Sequence, residues 1–126
     1  MEGVAFGLKD SVELMKPLGL SVDRVRVAGG GTRSPIWRQI LADVFDSELA
    51  TTDATEGAAY GAALLGGVGA GVFESVQAAS DRAVREVDHV QPGDDVERYA
   101  EIYPRYRALY PALAPEFHAM ARLLEQ

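Results

Sequence analysis

The sequence predicts an α/β fold, a short mixed or parallel sheet flanked by helices. Three observations predict it. "VRVAGGGTRSPIWRQILADVF", Val25 to Phe45, joins an alternating run to a helical stripe through three glycines. Alternation returns at Arg82–Val90. Helical spacing fills the two ends of the chain, at Gly3–Lys16 and from Asp94 onward.

Over Gly3–Lys16, Val4, Leu8, Val12 and Met15 share one helical face, with Phe6 and Leu14 beside them. Pro17 and Gly19 stop that helix. It begins in mid-pattern at Met1, so the chain is expected to be the later part of a longer one. Asp23–Ala28 alternates and predicts a strand, with Arg24 and Arg26 turned to solvent. Gly29–Thr32 is the turn. Ser34 is an N-cap and Pro35 suits the first helical position. Ile36, Trp37, Ile40, Leu41, Val44 and Phe45 form a stripe to about Asp46. Glu48–Thr51 is a weakly signalled second strand.

Thr55 and Glu56 suit the cap and first turn of the next helix, which runs to about Leu65 and dissolves into glycines. Gly57–Phe73 carries no charge, yet its Gly- and Ala-rich composition predicts a buried helix ending in a glycine loop rather than a membrane span. Ser75–Ala79 reads as one helical turn. Arg82–Val90 is the third strand, with Val84, Val87 and Val90 apolar. After Pro92-Gly93, a helical region covers 94–126. Its tyrosines Tyr99, Tyr103, Tyr106 and Tyr110 form a packing face. Pro104, Pro111 and Pro115 are expected to kink or divide it.

Composition bounds the function. The chain has 126 residues, enough for one domain. Its 12 Lys and Arg against 19 Asp and Glu leave a net charge of −7. That excludes nucleic acid and an anionic membrane as main partners, since both need a basic footprint. There is no cysteine, which removes disulfides and thiolate chemistry and fits a reducing, cytoplasmic setting. No signal peptide pattern opens the sequence. His89 and His118 are far apart, and no metal-ligand spacing is present, so no metal site and no catalytic base emerge from the residues.

The glycines carry the chemistry. A strand, a glycine turn and a capped helix can cradle phosphate. Glycine lets the backbone approach, turn N–H groups make a concave donor surface, and the helix start adds partial positive charge. The candidate site residues are Gly29, Gly30, Gly31, Thr32 and Ser34. A tight strand-to-helix turn holding no ligand fits the same pattern. Ser34-Pro35 replaces the third glycine of a dinucleotide fingerprint, and no Gly-Lys-Ser/Thr follows as in a P-loop. Arg33, inside the loop, is the better cation for a phosphate than Arg24 or Arg26. Gly57, Ala58, Gly61, Ala62 and Leu65 let another helix or a flat ligand come close. Glu56 reads as a partner of the helix dipole. Asp43 with Asp46, and Asp94 with Asp95, read as solvated faces rather than acid/base dyads.

The order of "MEGVAFGL", "VRVAGGGTRSPIWRQILADVF", "ATEGAAYGAALLGGVGAGVF" and "YPRYRALYPAL" resembles the end of an FGGY-family carbohydrate kinase, nearest the xylulose kinase branch. The resemblance covers nearly the whole chain. It implies a ribonuclease H-like fold of the actin and sugar kinase type. Residues 1–126 would be the later part of its C-terminal, nucleotide-side domain. It implies ATP and Mg2+ as cofactors and transfer of the γ-phosphate to a sugar, most directly D-xylulose to D-xylulose 5-phosphate. Ribulose, gluconate or glycerol kinases are the alternatives within the family, and a non-catalytic interaction module the alternative outside it. By resemblance, Gly29, Gly30 and Gly31 lie against the adenosine and its phosphates, and the side chain at Ser34 reaches the nucleotide. Glycerol kinases often carry Asn at that position and Asp where Ala28 stands, so both residues point to the xylulose kinase branch. The family's catalytic aspartate, sugar pocket and first phosphate loop match nothing here, and Pro104 interrupts a helix expected to continue. The isolated chain is expected to lack kinase activity. It is also expected to self-associate through its first helix, because a cut domain exposes apolar surface.

Overall fold

The computed structural model describes residues 1–20, 22–54 and 57–124. The chain runs α1 (Glu2–Met15), β1 (Arg24–Val27), α2 (Pro35–Phe45), β2 (Glu48–Thr52), α3 (Gly57–Gly69), α4 (Val76–Ala83), β3 (Glu86–Val90) and α5 (Val96–Leu124). A short 3-10 turn, Lys16–Leu18, takes up Pro17 after α1, and Gly19 at φ 77° closes it. A second 3-10 turn, Gly30–Arg33, links β1 to α2.

The three strands form one mixed sheet in the order β1-β2-β3. β1 and β2 are parallel, with Val25 opposite Leu49. β3 is antiparallel to β2, with Leu49 opposite Val90 and a register shift at Thr51/Thr52. Beyond that shift the Asp53 N–H donates to the Arg85 carbonyl and the Asp53 Oδ1 accepts from the Arg85 N–H, both at 3.0 Å. Glu48–Thr52 is a weak strand by composition. It forms because it is central, paired on both edges, and its Leu49, Ala50 and Thr51 are buried.

Alternation separates the two faces of the sheet. Val25, Val27, Leu49 and Val90 join the core with Leu41 and Val44 of α2. Arg24 and Arg26 share the other face and both reach Glu86, at 2.9 and 2.5 Å. His89 meets Glu48 there at 2.6 Å. Arg38 of α2 pairs with Asp88. The Arg26 guanidinium is the main reason Glu86 titrates below its ordinary range, and Arg38 does the same for Asp88.

Three of the four tyrosines of the α5 stripe pack against Phe6, whereas Tyr110 is exposed, because α1 covers only the first part of α5. Ring centroids lie 5.9, 6.0 and 5.3 Å from those of Tyr99, Tyr103 and Tyr106. Aromatic pairs of this kind add about 0.5–1.5 kcal/mol each beyond area burial. The Tyr99 hydroxyl donates to Glu2 at 2.9 Å and that of Tyr103 to Asp10 at 2.5 Å. Burial pushes the Tyr99 phenol up to about 12, and burial also raises Tyr103. Lys9 donates to the Val44 carbonyl at 2.6 Å, and burial lowers its pKa.

Several expectations are corrected. The buried face of α1 is Ala5 and Phe6, whereas Val4, Leu8 and Leu14 are exposed, because α2 and α5 meet the helix from the Phe6 side. Asp43 is buried, not solvated. Its carboxylate accepts from Gln39 Nε2 at 2.8 Å and from the Gly93 N–H at 2.6 Å, so the loop before α5 covers it. α3 extends to Gly69 and buries none of its described residues. It ends where Gly71 takes φ 75°, and the Phe73 ring folds over Gly67 so closely that a Cβ there would stand 2.9 Å from it. Small residues leave most of its surface with little to pack. Ser75 caps α4 by accepting from Ala78 N at 3.1 Å, and the helix runs to Ala83, so β3 is shorter than the alternation suggested. α5 is continuous through Pro104, Pro111 and Pro115. All three prolines are exposed, so water can satisfy the carbonyls they leave unpaired. Thr55 and Glu56 lie outside the described residues.

Candidate functional site

β1 and β2 are parallel, so their carboxyl ends emerge at one edge, where open α/β sheets bind ligands. The glycine turn follows β1 at that edge. Gly29 sits at φ 100°, ψ 174°, a conformation that is essentially glycine's alone. The turn then tightens: Thr32 donates to the Gly29 carbonyl through both its N–H, at 3.1 Å, and its hydroxyl, at 2.7 Å. Ser34 caps α2, its Oγ accepting from Trp37 N at 3.3 Å, and Pro35 occupies the first turn as predicted.

A cleft of about 440 Å³ opens beside this turn. Gly29, Gly30, Thr32 and Arg33 form one wall, and Gly57, Ala58 and Ala59 at the start of α3 form the other. Thr52 and Ala54, from the end of β2, complete it. The two segments singled out in the sequence therefore face each other across one cavity. Gly57 makes this approach: a Cβ there would lie 3.2 Å from the Ala28 Cβ. Thr52 and Ala54 were missed by sequence reasoning. The signal lay in two parallel strands ending at one edge, which a weakly marked β2 concealed.

The five candidate residues are not all in the cleft. Gly31 and Ser34 line a separate hollow of about 300 Å³ with Met1, Val4 and Trp37. The Thr32 and Ser34 N–H groups are used within the turn, Ser34 donating to the Gly31 carbonyl at 3.2 Å. The donor surface is therefore narrower than a fully open glycine turn. Among the described residues, the N–H groups of Gly30 and Gly31 have no hydrogen-bond partner. Gly30 has open space where a side chain would stand. Backbone donors, small walls and one guanidinium suit a flat ligand carrying an anionic group. For a divalent metal the fit is absent: among the described residues no three His, Cys, Asp or Glu side chains gather. No described helix is long and apolar enough to cross a membrane.

The architecture is that of an α/β protein, a mixed sheet flanked by helices with a cleft at the ends of its parallel strands. The C-terminal domain of the FGGY family of carbohydrate kinases matches residues 1–70, and the chain belongs to that family. It is 34% identical to the xylulose kinase of Bacillus subtilis over 111 residues, which is 87% of this chain and 22% of that protein. It is 30% identical to a gluconokinase of Bacillus licheniformis over 96% of this chain and 24% of that protein. The crystal structure of xylulose kinase from Rhodospirillum rubrum superposes with a TM-score of 0.74 at 30% identity, covering 93% of this chain and 24% of that one. The chain thus spans about a quarter of the length of these relatives. Its sheet flanked by helices is part of the ribonuclease H-like, actin and sugar kinase fold.

Proposed function

We propose that this chain is the later part of the nucleotide-side domain of an ATP-dependent sugar kinase, with D-xylulose as the sugar and D-xylulose 5-phosphate as the product. One observation carries the reading: the glycine turn and the start of α3 face each other across one cleft at the ends of the parallel strands. Bound ATP supplies the phosphoryl group that passes to the sugar hydroxyl. The residues of this chain position that nucleotide. Gly29 and Gly30 let the backbone come close, and the Gly30 N–H is a donor at the cleft wall. Thr32 stiffens the turn through its two bonds to Gly29. Gly57, Ala58 and Ala59 leave room for a flat base. Positioning and charge stabilisation are most of what phosphoryl transfer asks of a protein.

The described residues do not form a magnesium site, and the family's catalytic aspartate has no counterpart here. The isolated chain is therefore inactive as a kinase and contributes nucleotide binding. Gluconate is the second reading for the sugar, favoured by the 30% identity to the Bacillus licheniformis gluconokinase. The exposed Val4 and Leu8 of α1 support self-association of the isolated chain, which sedimentation velocity would show as a concentration-dependent shift. Trp37, the single tryptophan, lies under the turn, 3.4 Å from where a Gly31 side chain would begin. Its fluorescence tests the reading: a saturable change with ADP supports it, and a flat titration contradicts it.

A further inference from the structure

We propose that Arg33 is the phosphate-binding side chain of the cleft, the group that separates a phosphorylated nucleotide from the bare nucleoside. This role rests on the cleft being a nucleotide site.

Among the described residues lining the cleft, Arg33 is the one that carries a charge. It ends the 3-10 turn that begins at Gly30, whose N–H has no partner among the described residues, and both residues line the cleft. The neighbouring arginines are committed elsewhere. Arg24 and Arg26 both hold Glu86, and Arg38 holds Asp88. Arg33 has no ion pair or hydrogen-bonded partner among the described residues. An exposed, unpaired arginine gives nothing to the fold that a substitution would remove. The chain as a whole carries −7, which repels an anion at short range. A nucleotide phosphate docking here needs a local cation, and the planar guanidinium fork can meet two phosphate oxygens at once. The same plane could instead stack on the base, and that outcome distinguishes the two roles.

Calorimetric titrations with ADP and with adenosine test this, using the chain and its Arg33→Ala and Arg33→Lys variants. Arg33→Ala should weaken ADP about tenfold, leave adenosine unchanged and flatten the salt dependence of ADP binding. Arg33→Lys should recover part of the ADP affinity, since charge remains but the fork is lost. Unchanged ADP affinity in Arg33→Ala overturns the role of Arg33 and leaves the nucleotide cleft standing. Equal losses for ADP and adenosine also overturn it, in favour of base stacking. If the unsubstituted chain binds neither ligand, the nucleotide reading itself fails and this one with it. Urea midpoints that agree across the three proteins show that the fold is unchanged.

Discussion

Gly57 approaches Ala28 so closely that a Cβ on Gly57 would stand 3.2 Å from that of Ala28. This contact sets the start of α3 against the end of β1 and so fixes the width of the cleft. A branched side chain there must push the two apart. Gly57→Val is expected to destabilise the chain by about 1–3 kcal/mol, the usual cost of overpacking, and to weaken ADP binding. Urea unfolding and an ADP titration on the same sample check both effects.

Gly29 and Gly30 separate conformational need from space. At Gly29, φ 100° is strained for any side chain, so Gly29→Ala should cost about 1–3 kcal/mol. At Gly30 no atom lies within 4 Å of where a Cβ would stand, so Gly30→Ala should fold with unchanged stability. Equal melting curves for the two variants would contradict the turn geometry.

Asp43 holds the entry to α5 through the Gly93 N–H, at 2.6 Å. Asp43→Ala leaves the Gly93 N–H without its acceptor, while the Gln39 amide keeps the Gln91 carbonyl at 3.1 Å. A loss of about 1–3 kcal/mol is expected, with faster amide exchange at Gly93.

The ion pairs on the sheet set the acid limb of stability. Glu86 and Asp88 both titrate below their ordinary values of 4.5 and 3.8 because of Arg26 and Arg38. A depressed carboxylate stabilises the fold above its unfolded pKa. That contribution is lost as pH falls through the folded value. Stability should therefore drop below about pH 4.5, and Glu86→Gln should flatten the drop. Chemical denaturation at stepped pH measures it. An acid limb identical in Glu86→Gln would contradict the assignment.

Pro104 lies on the exposed side of a continuous α5. Pro104→Ala restores a helical N–H at a site with no packing to lose. It should raise stability by up to about 3 kcal/mol, read from helicity and thermal midpoint.

What the sequence made legible was local chemistry. Ser34 and Pro35 announce the start of α2 because a cap and a first-turn proline act within three residues. Tyr99, Tyr103 and Tyr106 are read as a packing face from spacing alone, although the same spacing wrongly extends it to the exposed Tyr110. The rest depended on partners distant in sequence. Asp43 is buried by Gly93, fifty residues on. The covered face of α1 is chosen by α2 and α5, so its more conspicuous Val4 and Leu8 stripe was misleading. β2 owes its existence to two neighbours rather than to its own side chains. Of the candidate site, the glycine turn and the small residues of α3 were visible separately. Their meeting across one cleft, with Thr52 and Ala54 between them, required the parallel pairing of β1 and β2.

An amide NMR titration with ADP asks whether this cleft holds a nucleotide. A nucleotide in the cleft shifts amides only at Gly29–Arg33, Thr52–Ala54 and the first turns of α3. A well-dispersed spectrum that stays unchanged at millimolar ADP, or shifts centred on the α1 and α5 surfaces, would contradict it.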